Sequence, residues 1–256
     1  MLSRETAQAA GGGSAALGAS FAPRRRAVLR VVAHCIAGTA ALMLTPATSL
    51  RAQGVPGAAG GADAAAAPLV LVVGDSLSAE YGIARGAGWV ARLEQRLQRE
   101  RIAARLVNAS ISGDTTSGGR TRLPALLQRY QPAVVVIELG GNDALRGLPL
   151  STTRDNLVAM TRAAKAAGAR VLIAGMQLPP NYGRAYGEEF AALFGQVARA
   201  EGTALVPFLL AGVADGPDPY AMFQPDRIHP TAEAHARILD NVWPALRPLV
   251  VAAGRR

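Results

Sequence analysis

The chain has 256 residues, half of them hydrophobic, which is enough for one sizeable core and about one folded domain. Its formal charge of +9 suggests nucleic acid at first sight, but six of the 27 basic residues fall within residues 1–52, against one acidic residue. The remainder carries a charge of 21 basic against 17 acidic residues with no basic run, which argues against nucleic acid as a partner.

The N-terminal stretch "RRRAVLRVVAHCIAGTAALMLTPATSLRAQ" has a basic start, a short apolar run and small residues after it. That is the layout of a secretory signal, and Arg25-Arg26 followed by Ala27, Val28 and Leu29 resembles a twin-arginine export signal. The apolar run Ile36–Leu44 is shorter than the ~20 residues that a bilayer span needs. Residues 1–52 are therefore read as an N-terminal extension and export signal, cleaved near Ala47 or Ala52. An uncleaved anchor is the alternative. Cys35, the sole cysteine, lies inside this segment, so the processed chain has neither disulfide nor thiol chemistry to offer. Residues 53–67, "QGVPGAAGGADAAAA", read as a flexible linker, and 68–256 as the folded domain.

From Pro68 onward, short apolar runs alternate with helical periodicity. Strands are expected at 69–73, 104–109, 133–139, 169–174 and 204–207, since apolar runs of this length suit strands covered on both faces. Helices are expected at 88–100, 118–129, 151–167, 186–200 and 231–247. In the last of these, Ala232, Ala236, Leu239, Val242 and Leu246 recur at helical spacing. The alternation predicts an α/β domain with an open parallel sheet wound on both sides. In a flavodoxin-like order 2-1-3-4-5, the loops after strands 1, 2 and 3 share one rim, where such sheets bind ligands. Those loops are the polar ones: "GDSLSAEYG", "SISGDTTSGG" and "GGNDALRG".

Ser76 follows strand 1 directly. A serine hydroxyl needs a base to become a nucleophile, and histidine is the side chain with a pKa near neutral. Beyond the signal there are two, His229 and His235. His229 sits in "PDRIHP", with Asp226 three residues before it and Pro230 after it. On one tight loop the carboxylate is able to hydrogen-bond the imidazole and set its tautomer. His235 falls inside the last helix and reads as a surface or packing histidine. Candidate donors to an oxyanion are the Ser76 N–H, the Gly113 N–H in the loop after strand 2, and the Asn142 side-chain amide after strand 3. Gly74-Asp75-Ser76-Leu77-Ser78 is not the Gly-x-Ser-x-Gly elbow of α/β-hydrolases. Without a cluster of metal ligands around it, Asp75 reads as hydrogen-bonding support rather than as a metal or phosphorylation site.

"GDSLS", "NASISGDTTSGG", "ELGGNDALRG" and "DRIHP" resemble the successive blocks of the SGNH (GDSL) hydrolase superfamily, over residues 69 to 250. The flanking sequence is similar to the periplasmic thioesterase I/lysophospholipase/arylesterase group. The resemblance implies a three-layer α/β/α sandwich and a serine esterase without metal or cofactor. Its residues would be Ser76, Gly113, Asn142 and His229, with Asp226 completing a triad. It further implies small-molecule substrates, namely acyl thioesters, aryl esters and lysophospholipids, together with transient contact with lipids and a periplasmic location. Leu77, Leu145, Leu148, Leu178 and Tyr182 lie on loops expected at the same rim and are candidates to line an acyl groove, ordinary packing being the alternative. Two other readings stay open: a carbohydrate O-deacetylase of the same superfamily, and a non-catalytic flavodoxin-like module that holds an anion at its glycine-rich loops. The sequence sets no oligomeric state.

Overall fold

The computed structural model describes residues 67–255. The expected export signal with Cys35, and the expected linker but for its last residue, lie outside the described residues. Five strands, β1 (Leu69–Gly74), β2 (Arg105–Asn108), β3 (Val134–Glu138), β4 (Arg170–Ala174) and β5 (Ala204–Val206), form one parallel sheet in the order β2-β1-β3-β4-β5. This is the order expected from the sequence. Every residue of β1 and β3 is buried, as two-sided coverage requires, whereas β2 is half-exposed at the edge.

The helices are α1 (Trp89–Arg99), α2 (Thr116–Tyr130), α3 (Gly141–Leu145), α4 (Leu150–Ala166), α5 (Arg184–Glu201) and α6 (Ala234–Ala253). α1 packs on α6, while α2 packs on α4 and α4 on α5, giving the two helical layers. None of the described helices is long and apolar enough to cross a membrane.

Two elements differ from expectation. The last helix begins at Ala234 rather than at residue 231. His229-Pro230 is held extended there: Phe223 bridges Pro230 and the Thr231 N–H bonds the Met222 carbonyl. The helix then runs on to Ala253 through Pro244 and Pro248. Each interior proline costs about 3 kcal/mol. Ile238, Leu239, Val242, Trp243, Leu246 and Val250 are buried along the same face, at ~1.5–3 kcal/mol each, and outweigh that cost. α3 was not expected, since five residues are too few to show a period. It starts after Gly140, whose φ of +123° belongs to glycine, and a Cβ at Gly140 would stand 3.1 Å from Phe194.

Candidate active site

The turn after β1 carries Ser76, and its backbone is tightly bonded. The Asp75 carbonyl accepts the Ala79 N–H at 2.9 Å and the Ser76 carbonyl accepts the Tyr81 N–H at 3.4 Å. Beneath this turn lies Glu138, at the end of β3 and paired in register with Gly74. One Glu138 oxygen accepts the Asp75 N–H at 3.3 Å and the Ser78 hydroxyl at 2.7 Å, and that hydroxyl accepts the Trp89 indole N–H at 3.1 Å. Burial, with the Asp75 charge adding to it, pushes the Glu138 carboxyl well above the usual carboxylate range. Glu138 thus anchors the serine turn through these two bonds. At the end of the apolar run Val134–Ile137, Glu138 carries no signal of its own in the sequence.

Ser76 Oγ lies 2.9 Å from His229 Nε2, across 153 positions of chain. On the far side of the ring, His229 Nδ1 is 2.6 Å from Asp226 Oδ2. The other Asp226 oxygen accepts the backbone N–H groups of Ile228 and His229, each at 3.0 Å, which closes the loop around the carboxylate. Partial burial acts to raise the Asp226 pKa. The two backbone donors and the imidazole outweigh it and hold the carboxyl below its ordinary value. The Tyr81 ring leans on the imidazole, centroid to centroid 4.3 Å, and walls its exposed face. Tyr81 was not among the residues singled out from the sequence. An aromatic five positions after Ser76 carries no signal until the loops converge.

Asp75 is buried and turns away from Ser76. It accepts the Leu77 N–H at 3.0 Å and the Asn142 side-chain amide at 3.0 Å. Burial raises its carboxyl to about 6 against the pull of these donors. One Asn142 amide hydrogen is thereby fixed on Asp75, and the second is left for another acceptor. The Gly113 N–H and the Ser76 N–H have no hydrogen-bond partner among the described residues. Gly113 has a φ of +77°, as the third position of a type II turn demands, and that turn is closed by the Asp114 N–H on the Ile111 carbonyl at 3.1 Å. His235 lies elsewhere: it is buried, and its Nδ1 accepts the Trp89 N–H at 3.1 Å. Burial lowers its pKa to about 4, so it stays neutral as a packing residue.

A cleft of about 470 Å³ runs from Ser76 and His229, within the ~300–1,000 Å³ range of small-molecule sites. Leu77, Leu145 and Leu178 line it; Leu148 and Tyr182 do not. Leu148 lies beyond α3, tied by its N–H to the Asp143 carbonyl and by its carbonyl to the Tyr186 hydroxyl, away from the cleft. Tyr182 ends a single 3-10 turn, Pro180–Tyr182, and is exposed. In their place stand Met176, Phe208, Leu210, Phe223 and Ile228. Most of these come from the segment after β5, where the Leu209 N–H bonds the Gly175 carbonyl at 2.8 Å and folds the chain back over the rim. The apolar run Leu205–Leu210 was the available signal, and it reads equally well as core. Among the described residues no three His, Cys, Asp or Glu side chains converge as metal ligands.

The GDSL-like lipase/acylhydrolase family matches residues 72–237. The chain is 54% identical over 186 residues to "Esterase TesA" of Pseudomonas aeruginosa, which covers 73% of this chain and 91% of that protein. It is 43% identical over 187 residues to "Thioesterase 1/protease 1/lysophospholipase L1" of Escherichia coli, covering 73% of this chain and 87% of that protein. Among solved structures, the psychrotrophic esterase EstA of Pseudoalteromonas sp., inhibited by monoethylphosphonate, superposes with a TM-score of 0.66 at 37% identity, covering 70% of this chain and 97% of that one.

Proposed function

The chain belongs to the GDSL-like lipase/acylhydrolase family, and from that premise we propose that it is a serine esterase cleaving carboxylic ester and thioester bonds through an acyl-enzyme. One observation carries the reading: Ser76 Oγ, His229 Nε2 and Asp226 are in hydrogen-bonded series beside two free backbone N–H groups and an amide, at the end of an apolar cleft.

Ser76 Oγ attacks the carbonyl carbon and its proton passes to His229 Nε2. The charge on the carbonyl oxygen is met by the N–H groups of Ser76 and Gly113 and the free hydrogen of the Asn142 amide. Asp226, held ionised, keeps the ring proton on Nδ1 of His229 and stabilises the imidazolium that forms. Collapse breaks the ester or thioester bond. The departing alcohol or thiol takes the proton from Nε2 and leaves an acyl ester on Ser76. Water, deprotonated by the same nitrogen, then attacks that ester, releasing the acid and restoring the serine.

The leucine-, methionine- and phenylalanine-lined cleft suits the acyl part of acyl thioesters, aryl esters and lysophospholipids. The Escherichia coli relative's name carries two of these activities. Export to the periplasm, followed by transient contact with lipid there, is part of the same reading and rests on the N-terminal stretch; the N-terminus of the processed protein tests it. For the chemistry, a fluorophosphonate should add to the wild type at Ser76, read by mass. Ser76→Ala should neither be labelled nor hydrolyse p-nitrophenyl butyrate. Retained hydrolysis in that variant overturns the assignment, and a preference for acetylated sugars over medium-chain acyl esters overturns the substrate class.

A further inference from the structure

We infer that Arg146 is a positioning residue for the oxyanion site, acting through the backbone of Gly113; this rests on the reading of the Gly113 N–H as a donor to the oxyanion. Arg146 Nη2 donates to the Gly113 carbonyl at 2.8 Å. Among the described residues Arg146 makes no ion pair, so its cationic donor is spent on a neutral carbonyl in a loop 33 positions earlier. Bonds from a charged donor are about twice as strong as neutral ones.

The turn is closed by the Asp114 N–H on the Ile111 carbonyl at 3.1 Å, but among the described residues only Arg146 reaches the Gly113 carbonyl at its tip. Its start is pinned by the Ile111 N–H on the Gly74 carbonyl at 3.0 Å. Its end is pinned by Asp114, whose carboxylate pairs with Arg122 at 2.8 Å. Between them stands Gly113, with no side chain to pack and a φ open to rotation. A rotation at Gly113 swings the preceding peptide, which carries the Gly113 N–H. The turn-closing bond limits that rotation from within, and the carbonyl held by Arg146 limits it from outside.

Arg146 is the residue that caps α3, and Asn142 stands four positions before it on the same helix. Residues four apart share a face, and the Arg146 N–H bonds the Asn142 carbonyl at 3.3 Å. One five-residue helix therefore places two of the three donors: the Asn142 amide directly, and the Gly113 N–H through Arg146. Leu145, between them, lines the cleft. The helix that touches the acyl chain thus also sets the oxyanion donors.

A donor that must meet the oxyanion matters most in the transition state, so misplacing it lowers kcat and spares KM. Arg146→Met keeps the stem and removes the donors. Removing one oxyanion donor outright costs about 10²–10³ in turnover, so loosening one should cost about tenfold to thirtyfold in kcat on p-nitrophenyl butyrate, with KM within twofold. Arg146→Lys, which keeps a charged donor, should recover at least a third of that loss on a logarithmic scale. Inhibition by a boronic acid, whose tetrahedral adduct places an oxygen in the same site, should weaken in Arg146→Met by a factor similar to the loss in kcat.

An unchanged kcat in Arg146→Met, with Ser76→Ala inactive, overturns the inference and leaves the esterase reading standing. A raised KM at constant kcat also overturns it, since Arg146 would then bind substrate rather than position Gly113. A melting temperature lowered along with kcat, and no recovery in Arg146→Lys, would make the role structural and overturn it as well.

Discussion

Replacing Asp226 by asparagine separates the two jobs of that carboxylate. One oxygen accepts two backbone N–H groups of its own loop at 3.0 Å, and the other faces His229 Nδ1 at 2.6 Å. Asparagine keeps the first as its carbonyl but turns the second into an N–H donor. A donor facing Nδ1 forces that nitrogen to accept, so the ring proton moves to Nε2. Nε2 is the atom 2.9 Å from Ser76 Oγ, and once protonated it is unable to take the serine proton. The Asp226 side chain is 38% exposed, so water screens part of its attraction for the imidazolium and the wrong tautomer carries most of the loss. In a triad of this kind the loss in kcat is about 10⁴, or roughly 5.5 kcal/mol of barrier. Stability should hardly change. Asp226→Ala should lose turnover too, but it also releases two backbone donors into a half-open loop, costing on the order of 1 kcal/mol and lowering Tm by about 2–4 °C. The assays are kcat on p-nitrophenyl butyrate and thermal unfolding of both variants. Turnover of Asp226→Asn within tenfold of wild type, or equal Tm losses in the two variants, refutes the reasoning.

Asn142→Ala should reduce kcat by on the order of 10²–10³ with little change in KM, measured on the same ester; a loss below threefold removes Asn142 from the oxyanion site. Asp75 makes a pH prediction. Burial lifts its carboxyl from its ordinary 3.8 to about 6 in the folded chain, so the native state binds that proton more tightly than the unfolded one. The stabilisation this brings is full below about pH 4 and is lost as the pH rises through 6. Asp75→Asn has no such proton, so the stability of wild type relative to this variant should fall by a few kcal/mol between pH 4 and 7, followed by urea unfolding. A difference that stays constant across that range would sink the assignment.

Much of the architecture was legible in the chain itself. Apolar runs such as Leu69–Val73 and Val134–Ile137 suit only strands covered on both faces, and with helices between them a parallel sheet follows. Ser76, Asp226 and His229 stood out because two histidines beyond residue 52 leave few choices of base, and one of those lies within a helical period. Other features were not legible because neighbours in space, not in sequence, create them. Glu138 looks like one polar residue in a strand; its register with Gly74 places it under the serine turn, where burial pushes its carboxyl above the usual range. Leu148 and Tyr182 share loops with cleft residues, yet the backbone bonding of those loops turns them away, while Phe208 and Leu210 are folded in from beyond β5.

The sequence by itself determined the strands, the two-sided burial of β1 and β3, and the residue types able to move a proton from serine to histidine, since periodicity and side-chain chemistry are local properties. The tertiary structure decided how closely these groups approach and what surrounds them. A hydrogen bond of 2.9 Å across 153 positions depends on the crossover order that puts β1 at the middle of the rim, and the shape of the cleft depends on where the long segment after β5 closes back. Both are set by packing between elements distant in the chain, which no local pattern encodes.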